Sequence, residues 1–163
     1  MIRRGGQSDV HTLYGMEKAA SSTSLAHVFG DTAFPDDDVL ARWRLVLDDP
    51  SASVLVDELD GEPVGYAAYG DGWLRHFGVV PAHWGSGRAQ ALHAAVLTTS
   101  AEASTPTSYL WVLVDNYRAR AFYRRLGWHD TDVREQETFA PYPVKTQMTR
   151  PPEDGLWGPR AWT

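Results

Sequence analysis

The sequence predicts an α/β fold in which helices flank a mixed, largely antiparallel central sheet. Three observations lead there. Residues 53–59, 63–69 and 73–80 are short apolar runs separated by Asp60-Gly61 and Asp71-Gly72, a dipeptide that favours tight hairpin turns. Residues 109–114 are continuously apolar, as a strand buried on both faces requires. Around these runs, apolar residues recur at helical spacing.

Each element has its own reason. Ile2 to Arg4 reads as a short first strand. Asp9 is placed to cap a helix with the broken stripe Leu13, Met16, Glu17 and Ala20, whose end is weakened by serines from Ser21 to Ser24. Residues 30–35 form a loop. Asp36, Asp37 and Asp38 then suit the positive end of a helix dipole. Val39, Leu40, Trp43, Val46 and Leu47 give that helix one apolar face, and Asp48-Asp49-Pro50 stops it. The three runs of 53–80 form an antiparallel meander ended by Pro81. A helix over about 87–100 carries Leu92, Ala95, Val96 and Thr99 on one side. Asn116 opens a further helix with Ala119, Phe122, Tyr123 and Leu126 at i, i+3, i+4 and i+7, and Gly127 sits where a C-cap belongs. Residues 128–133 and 144–148 are the last strands. The spacing predicts one domain over 1–150, followed by a tail, 151–163, whose Trp157 and Trp162 suggest that it folds back onto the body.

Composition narrows the function. The chain of 163 residues has no cysteine, which excludes a disulfide framework, a thiolate zinc site and a cysteine nucleophile. Its net charge of -6 argues against nonspecific nucleic-acid binding. No run of about 18 apolar residues is present for a membrane span, and Met1 to Gly6 lacks the pattern of a signal peptide. A cytoplasmic location is therefore expected. The six histidines show no metal-site spacing, so no metal is expected. Charge is uneven: residues 1–70 carry -7 and residues 71–127 carry +3. The basic stretch suits an anionic ligand, although arginines on a solvated helix face would give the same count.

The chemistry centres on Val79-Val80-Pro81-Ala82-His83-Trp84-Gly85-Ser86-Gly87-Arg88-Ala89-Gln90, where a strand ends, two glycines follow and a helix begins. Glycines let main-chain N–H groups approach a ligand closely. A helix start adds unpaired donors and partial positive charge, a combination suited to a diphosphate. No Lys-Ser/Thr follows, so this is not a Walker A loop. Gln90 stands where the dinucleotide fingerprint needs Gly or Ala.

This stretch resembles the acetyl-CoA-binding motif of the GCN5-related N-acetyltransferase (GNAT) family, Gln/Arg-x-x-Gly-x-Gly/Ala. Gly87-Arg88-Ala89 match its second half, and Trp84 departs from its first position. Asn116-x-x-Ala119-x-x-Phe122-Tyr123-x-x-Leu126-Gly127-Trp128 resembles a second segment of that family. The resemblance covers about residues 77–128 in motif.

It implies an acetyl-CoA-dependent N-acyltransferase with a GNAT-like fold. The strands ending near Val80 and Val114 would splay, and the pantetheine arm would fill the gap. A primary amine of a small molecule or peptide would attack the thioester directly, with a main-chain N–H near Val79 polarising the carbonyl. Val79, Val80, Trp84, Gly85, Ser86, Gly87, Arg88, Ala89, Gln90, Asn116 and Ala119 would line the acetyl-CoA site. Tyr123 would protonate or hydrogen-bond the departing thiolate. For the general base, His76 is the first candidate because an unperturbed imidazole titrates near neutrality, and Glu58 is the second. Either is equally readable as structural. Phe34, Asp38, Glu135 and Phe139, with Glu137 and Tyr142 nearby, are candidates for acceptor binding. His83 and His93 are read as loop and helix-surface residues. A homodimer is left open. The competing readings are a non-catalytic acetyl-CoA sensor or regulatory domain, and a scaffold associating through the Trp157/Trp162 tail.

Overall fold

The computed structural model describes residues 1–151; the expected packing of Trp157 and Trp162 lies outside them. In chain order the elements are β1 (Ile2–Arg4), α1 (Val10–Ser24), α2 (Ala26–Phe29), α3 (Asp36–Asp48), β2 (Ser53–Leu59), β3 (Glu62–Gly70), β4 (Trp73–Val79), α4 (Arg88–Glu102), β5 (Tyr109–Leu113), α5 (Tyr117–Arg125), β6 (His129–Gln136) and β7 (Val144–Thr149). Single 3-10 turns at Gln7–Asp9 and Pro81–His83 precede α1 and follow β4.

The strands form one seven-stranded sheet in the order β1-β2-β3-β4-β5-β7-β6. Every pair is antiparallel except β4–β5. The meander is built on the two Asp-Gly turns. Asp60 and Gly61 have φ of 52° and 81°, and Asp71 and Gly72 have 52° and 84°, the left-handed pair that matches the twist of a two-residue hairpin.

Alternation along the strands gives the sheet two cores. Val54, Val56, Tyr66 and Ala68 pack with Leu13 and Met16 of α1 and with Val39, Trp43 and Val46 of α3. Leu55, Ala67, Leu74, Leu110 and Val112 pack on the other face with Leu92 and Val96 of α4, Tyr123 of α5, and Trp128.

α1 runs through its serines to Ser24, carried by its buried face against α3. Three expectations change. The short helix α2 falls in a stretch with no periodic signal. β6 extends to Gln136 through its ladder with β7. His93 is buried at 3% exposure rather than at the helix surface, because its Nε2 accepts the indole N–H of Trp128 at 2.9 Å. Among the described residues, no helix is long and apolar enough to cross a membrane.

Candidate active site

The site begins with a defect in the sheet. Tyr69 pairs with Leu74, and Ala68 pairs with His76, so Arg75 is an extra residue in β4. Such a bulge bends its strand and sharpens the twist. It falls directly after the last β4–β5 pairs, Trp73↔Tyr109 and Leu74↔Leu110. Beyond them β4 and β5 diverge and leave a wedge-shaped gap.

The main-chain groups on both walls are set by ladder alternation. The N–H of Val80 donates to the carbonyl of Val64 at 2.9 Å, so Gly78 and His76 also bond toward β3. The main-chain groups of Phe77 and Val79 therefore point the other way, into the gap. On the opposite wall the N–H of Val114 donates to the carbonyl of Val144 at 2.8 Å, which turns those of Trp111 and Leu113 inward. The carbonyl of Val79 accepts the indole N–H of Trp84 at 2.7 Å, leaving its N–H as the free group.

A cavity of about 290 Å³ opens along this gap. Tyr123, Asn116 and Ala119 line it from α5, His76 and Phe77 from β4, Trp111 and Leu113 from β5, Glu17 and Arg42 from α1 and α3, and Glu137 and Phe139 from beyond β6. The bulge also switches side-chain facing. Leu74 enters the α4/α5 core, His76 contacts Trp43 on the α1/α3 side at 5.2 Å between ring centroids, and Phe77 faces α5.

Tyr123 is buried, which pushes its phenol above the usual tyrosine value. Its hydroxyl forms no hydrogen bond with the described residues. Asn116 caps α5, its Oδ1 accepting the N–H of Ala119 at 3.3 Å. His76 is lowered to about 3, first by burial and then by the cations Arg42 and Arg75. The ring is neutral at pH 7 and a weak proton acceptor, which weighs against its expected role as general base. Glu58, the second candidate for the base, is placed differently. It lies outside the cavity, bound to Arg3 Nε at 2.6 Å.

The glycine loop is open. Gly85 and Gly87 have φ of 75° and 84°, and a Cβ on either would meet nothing within 4 Å. Gly87 caps α4 from the left-handed region. The Ser86 hydroxyl donates to the carbonyl of His83 at 2.5 Å. Arg88 is engaged elsewhere, its Nη1 donating to buried Asp57 at 2.7 Å.

The acceptor candidates divide. Phe139 and Glu137 line the cavity, while Phe34, Asp38, Glu135 and Tyr142 do not. Phe34 packs on Tyr14 with ring centroids 6.2 Å apart, Asp38 is exposed in the first turn of α3, and Glu135 lies 3.6 Å from Lys145 Nζ. Sequence reasoning missed Glu17 and Arg42 as site residues. Glu17 accepts from Arg42 Nη2 and, at 2.7 Å, from the indole of Trp43. Their only sequence signal is a position beside an apolar stripe, which many solvated charges share.

The comparisons agree with this geometry. The acetyltransferase (GNAT) family profile matches residues 16–128. The chain is 34% identical over 99 residues to an uncharacterized N-acetyltransferase of Mycobacterium bovis, across 58% of this chain and 64% of that protein. It is 32% identical over 97 residues to one of Archaeoglobus fulgidus, across 53% and 66%. The matched stretch thus spans just under two thirds of either relative. A GCN5-related N-acetyltransferase from Rhodopseudomonas palustris superposes with a TM-score of 0.74 at 19% identity, covering 92% of this chain and 94% of that one. PaiA N-acetyltransferase from Thermoplasma acidophilum, in complex with coenzyme A, superposes at 0.67 with 12% identity, covering 90% and 96%. At those identities the structures speak for the fold, and the profile speaks for the family. This chain, a seven-stranded sheet parted between its fourth and fifth strands, belongs to the acetyltransferase (GNAT) family.

Proposed function

We propose that the protein transfers the acetyl group of acetyl-CoA to a primary amine, on a small molecule or a peptide, by direct attack. The observation that carries this reading is the parted sheet. Main-chain groups of Phe77 and Val79 are left unpaired along the gap, and the cavity there is lined by Phe77, Tyr123 and Asn116. An extended amide-bearing arm fits there as a strand would.

The residues present fit such a cosubstrate. Gly85 and Gly87 leave the loop free of side chains, so the main-chain N–H groups of 85–90 would hold the diphosphate at the start of α4. The N–H of Val79 would donate to the thioester carbonyl and stabilise the oxyanion that develops there. As the amine nitrogen bonds to the acyl carbon, the carbon–sulfur bond breaks and its electron pair leaves on sulfur. Tyr123, raised by burial, keeps its proton and would hydrogen-bond the thiolate rather than surrender the proton outright. A thiolate whose conjugate thiol titrates near 8.5 is too weak a base to take it. The amine proton would leave to water, since His76 near 3 is a poor sink for an ammonium group near 10.

The test measures release of free thiol from acetyl-CoA across a panel of amines, alongside calorimetry with CoA. Acceptor-dependent release is expected. Binding of CoA with no release for any amine would favour a sensor or regulatory domain, and no binding at millimolar CoA would refute both.

A further inference from the structure

The segment 71–127 holds six arginines and no lysine, and most of them are already engaged. Arg75 is bound to Asp49, Arg88 to Asp57, and both Arg120 and Arg124 to Asp130. Arg118 and Arg125 form no ion pair with the described residues. Arg118 is the one beside the glycine loop. Its guanidinium carbon lies 4.0 Å from the centre of the Trp84 ring. Trp84 immediately precedes Gly85-Ser86-Gly87 and is held in place by its bond to the carbonyl of Val79 at 2.7 Å. The contact therefore joins the first turn of α5 to the loop that starts α4.

Two physical features make this arrangement point to an anion. The first turn of a helix favours negative charge, so an unpaired cation there is poorly placed until an anion joins it. The Arg118 guanidinium forms no hydrogen bond with the described residues beside this ring contact, so its N–H groups are open to phosphate oxygens, whose geometry a guanidinium fork matches. Trp84 occupies the motif position where the resembled family carries Gln or Arg, so the loop lacks a polar side chain of its own at that point. The guanidinium laid on the ring supplies one from a different element.

Resting on the acetyl-CoA reading above, we infer that Arg118, oriented by the Trp84 ring, binds the diphosphate of the acyl-CoA from the α5 side. The diphosphate is preferred over the 3′-phosphate because Trp84 adjoins the glycines whose main-chain donors face that group.

Calorimetry with CoA and with dephospho-CoA, which lacks only the 3′-phosphate, tests this on the wild type, Arg118→Gln and Arg118→Lys. Arg118 is exposed, so the variants should keep the wild-type melting profile. Arg118→Gln should weaken both ligands by a similar factor, roughly tenfold or more, as expected for a charge-assisted hydrogen bond. Arg118→Lys should recover part of the loss. In turnover the KM for acetyl-CoA should rise by a like factor while kcat at saturation holds. Equal affinity of wild type and Arg118→Gln for CoA would overturn the inference. So would a loss seen with CoA and absent with dephospho-CoA, which would move the contact to the 3′-phosphate. A fall in kcat with KM unchanged would make Arg118 a structural residue. Failure of the wild type to bind CoA would instead strike the acetyl-CoA reading itself.

Discussion

Phe77 of β4 packs against Tyr123 of α5 with ring centroids 6.2 Å apart, and Phe122 stacks on the same Phe77 ring at 5.7 Å. The wall of the gap and the helix that lines it are thus joined through aromatic rings, and the phenol is held by packing rather than by a hydrogen bond. Tyr123→Phe keeps that packing and removes only the hydroxyl. The variant should fold and bind acetyl-CoA as the wild type does. Its kcat and kcat/KM should fall together by roughly 10²-fold, the signature of a hydrogen bond that strengthens as charge develops on the leaving thiolate. A wild-type rate between about pH 6 and 9 would reduce Tyr123 to a lining residue.

The pH profile of turnover should follow the acceptor amine rather than His76. With His76 near 3, the rise in kcat/KM with pH reports loss of the ammonium proton. His76→Gln should leave its midpoint in place, whereas an acceptor of lower pKa should move the midpoint down. A midpoint that shifts with His76→Gln and ignores the amine would restore the imidazole as base.

Stability should fall in mild acid. His93 is lowered to about 4, mainly by burial with a smaller contribution from Arg150, and His76 to about 3. Unfolded histidine titrates near 6.5. Because both folded values are depressed, the unfolded chain binds more protons in this window. Their contribution is complete above about 6.5 and is lost as pH falls toward the folded values. For His93 the loss approaches roughly 2–3 kcal/mol at pH 4. His93→Leu should be less stable at pH 7, since it leaves the buried indole N–H of Trp128 unpaired, yet should show a shallower decline from pH 6.5 to 4. Denaturant midpoints across that range would read both effects, and an unchanged slope would contradict the buried neutral ring.

Gly87→Val should act twice. A β-branched residue at φ of 84° is strained, by roughly 1–2 kcal/mol, which lowers the melting temperature of the free protein. Its side chain would also stand in the open space before α4, raising the KM for acetyl-CoA. A variant with lowered stability and unaltered KM would show that the diphosphate does not approach this loop.

The meander was legible because Asp60-Gly61 and Asp71-Gly72 encode hairpins locally, and Asn116 and Gly87 likewise mark helix starts in the chain itself. The glycine loop and Tyr123 could be singled out because their spacing is contiguous. The bulge at Arg75 could not, since an extra residue exists only relative to the partner strand β3. His93 was misplaced for a related reason: its burial depends on Trp128, 35 residues away. Glu17 and Arg42 look like ordinary helix charges until α1 and α3 are packed side by side. What the sequence hides is pairing between distant segments.

The inserted Arg75 gives this sheet four borders instead of two. Besides the outer sides of β1 and β6, it has a pair of bare borders in its middle, along 76–79 and 111–113. Bare strand borders recruit any extended chain that can complete them. If acetyl-CoA lies there as proposed, a peptide segment able to add a strand would compete with it without resembling it chemically. Deleting Arg75 would leave the facing of Leu74, His76 and Phe77 unchanged while straightening β4 onto β5. Both cores would survive in such a protein, with a continuous sheet and nowhere for a thioester to lie.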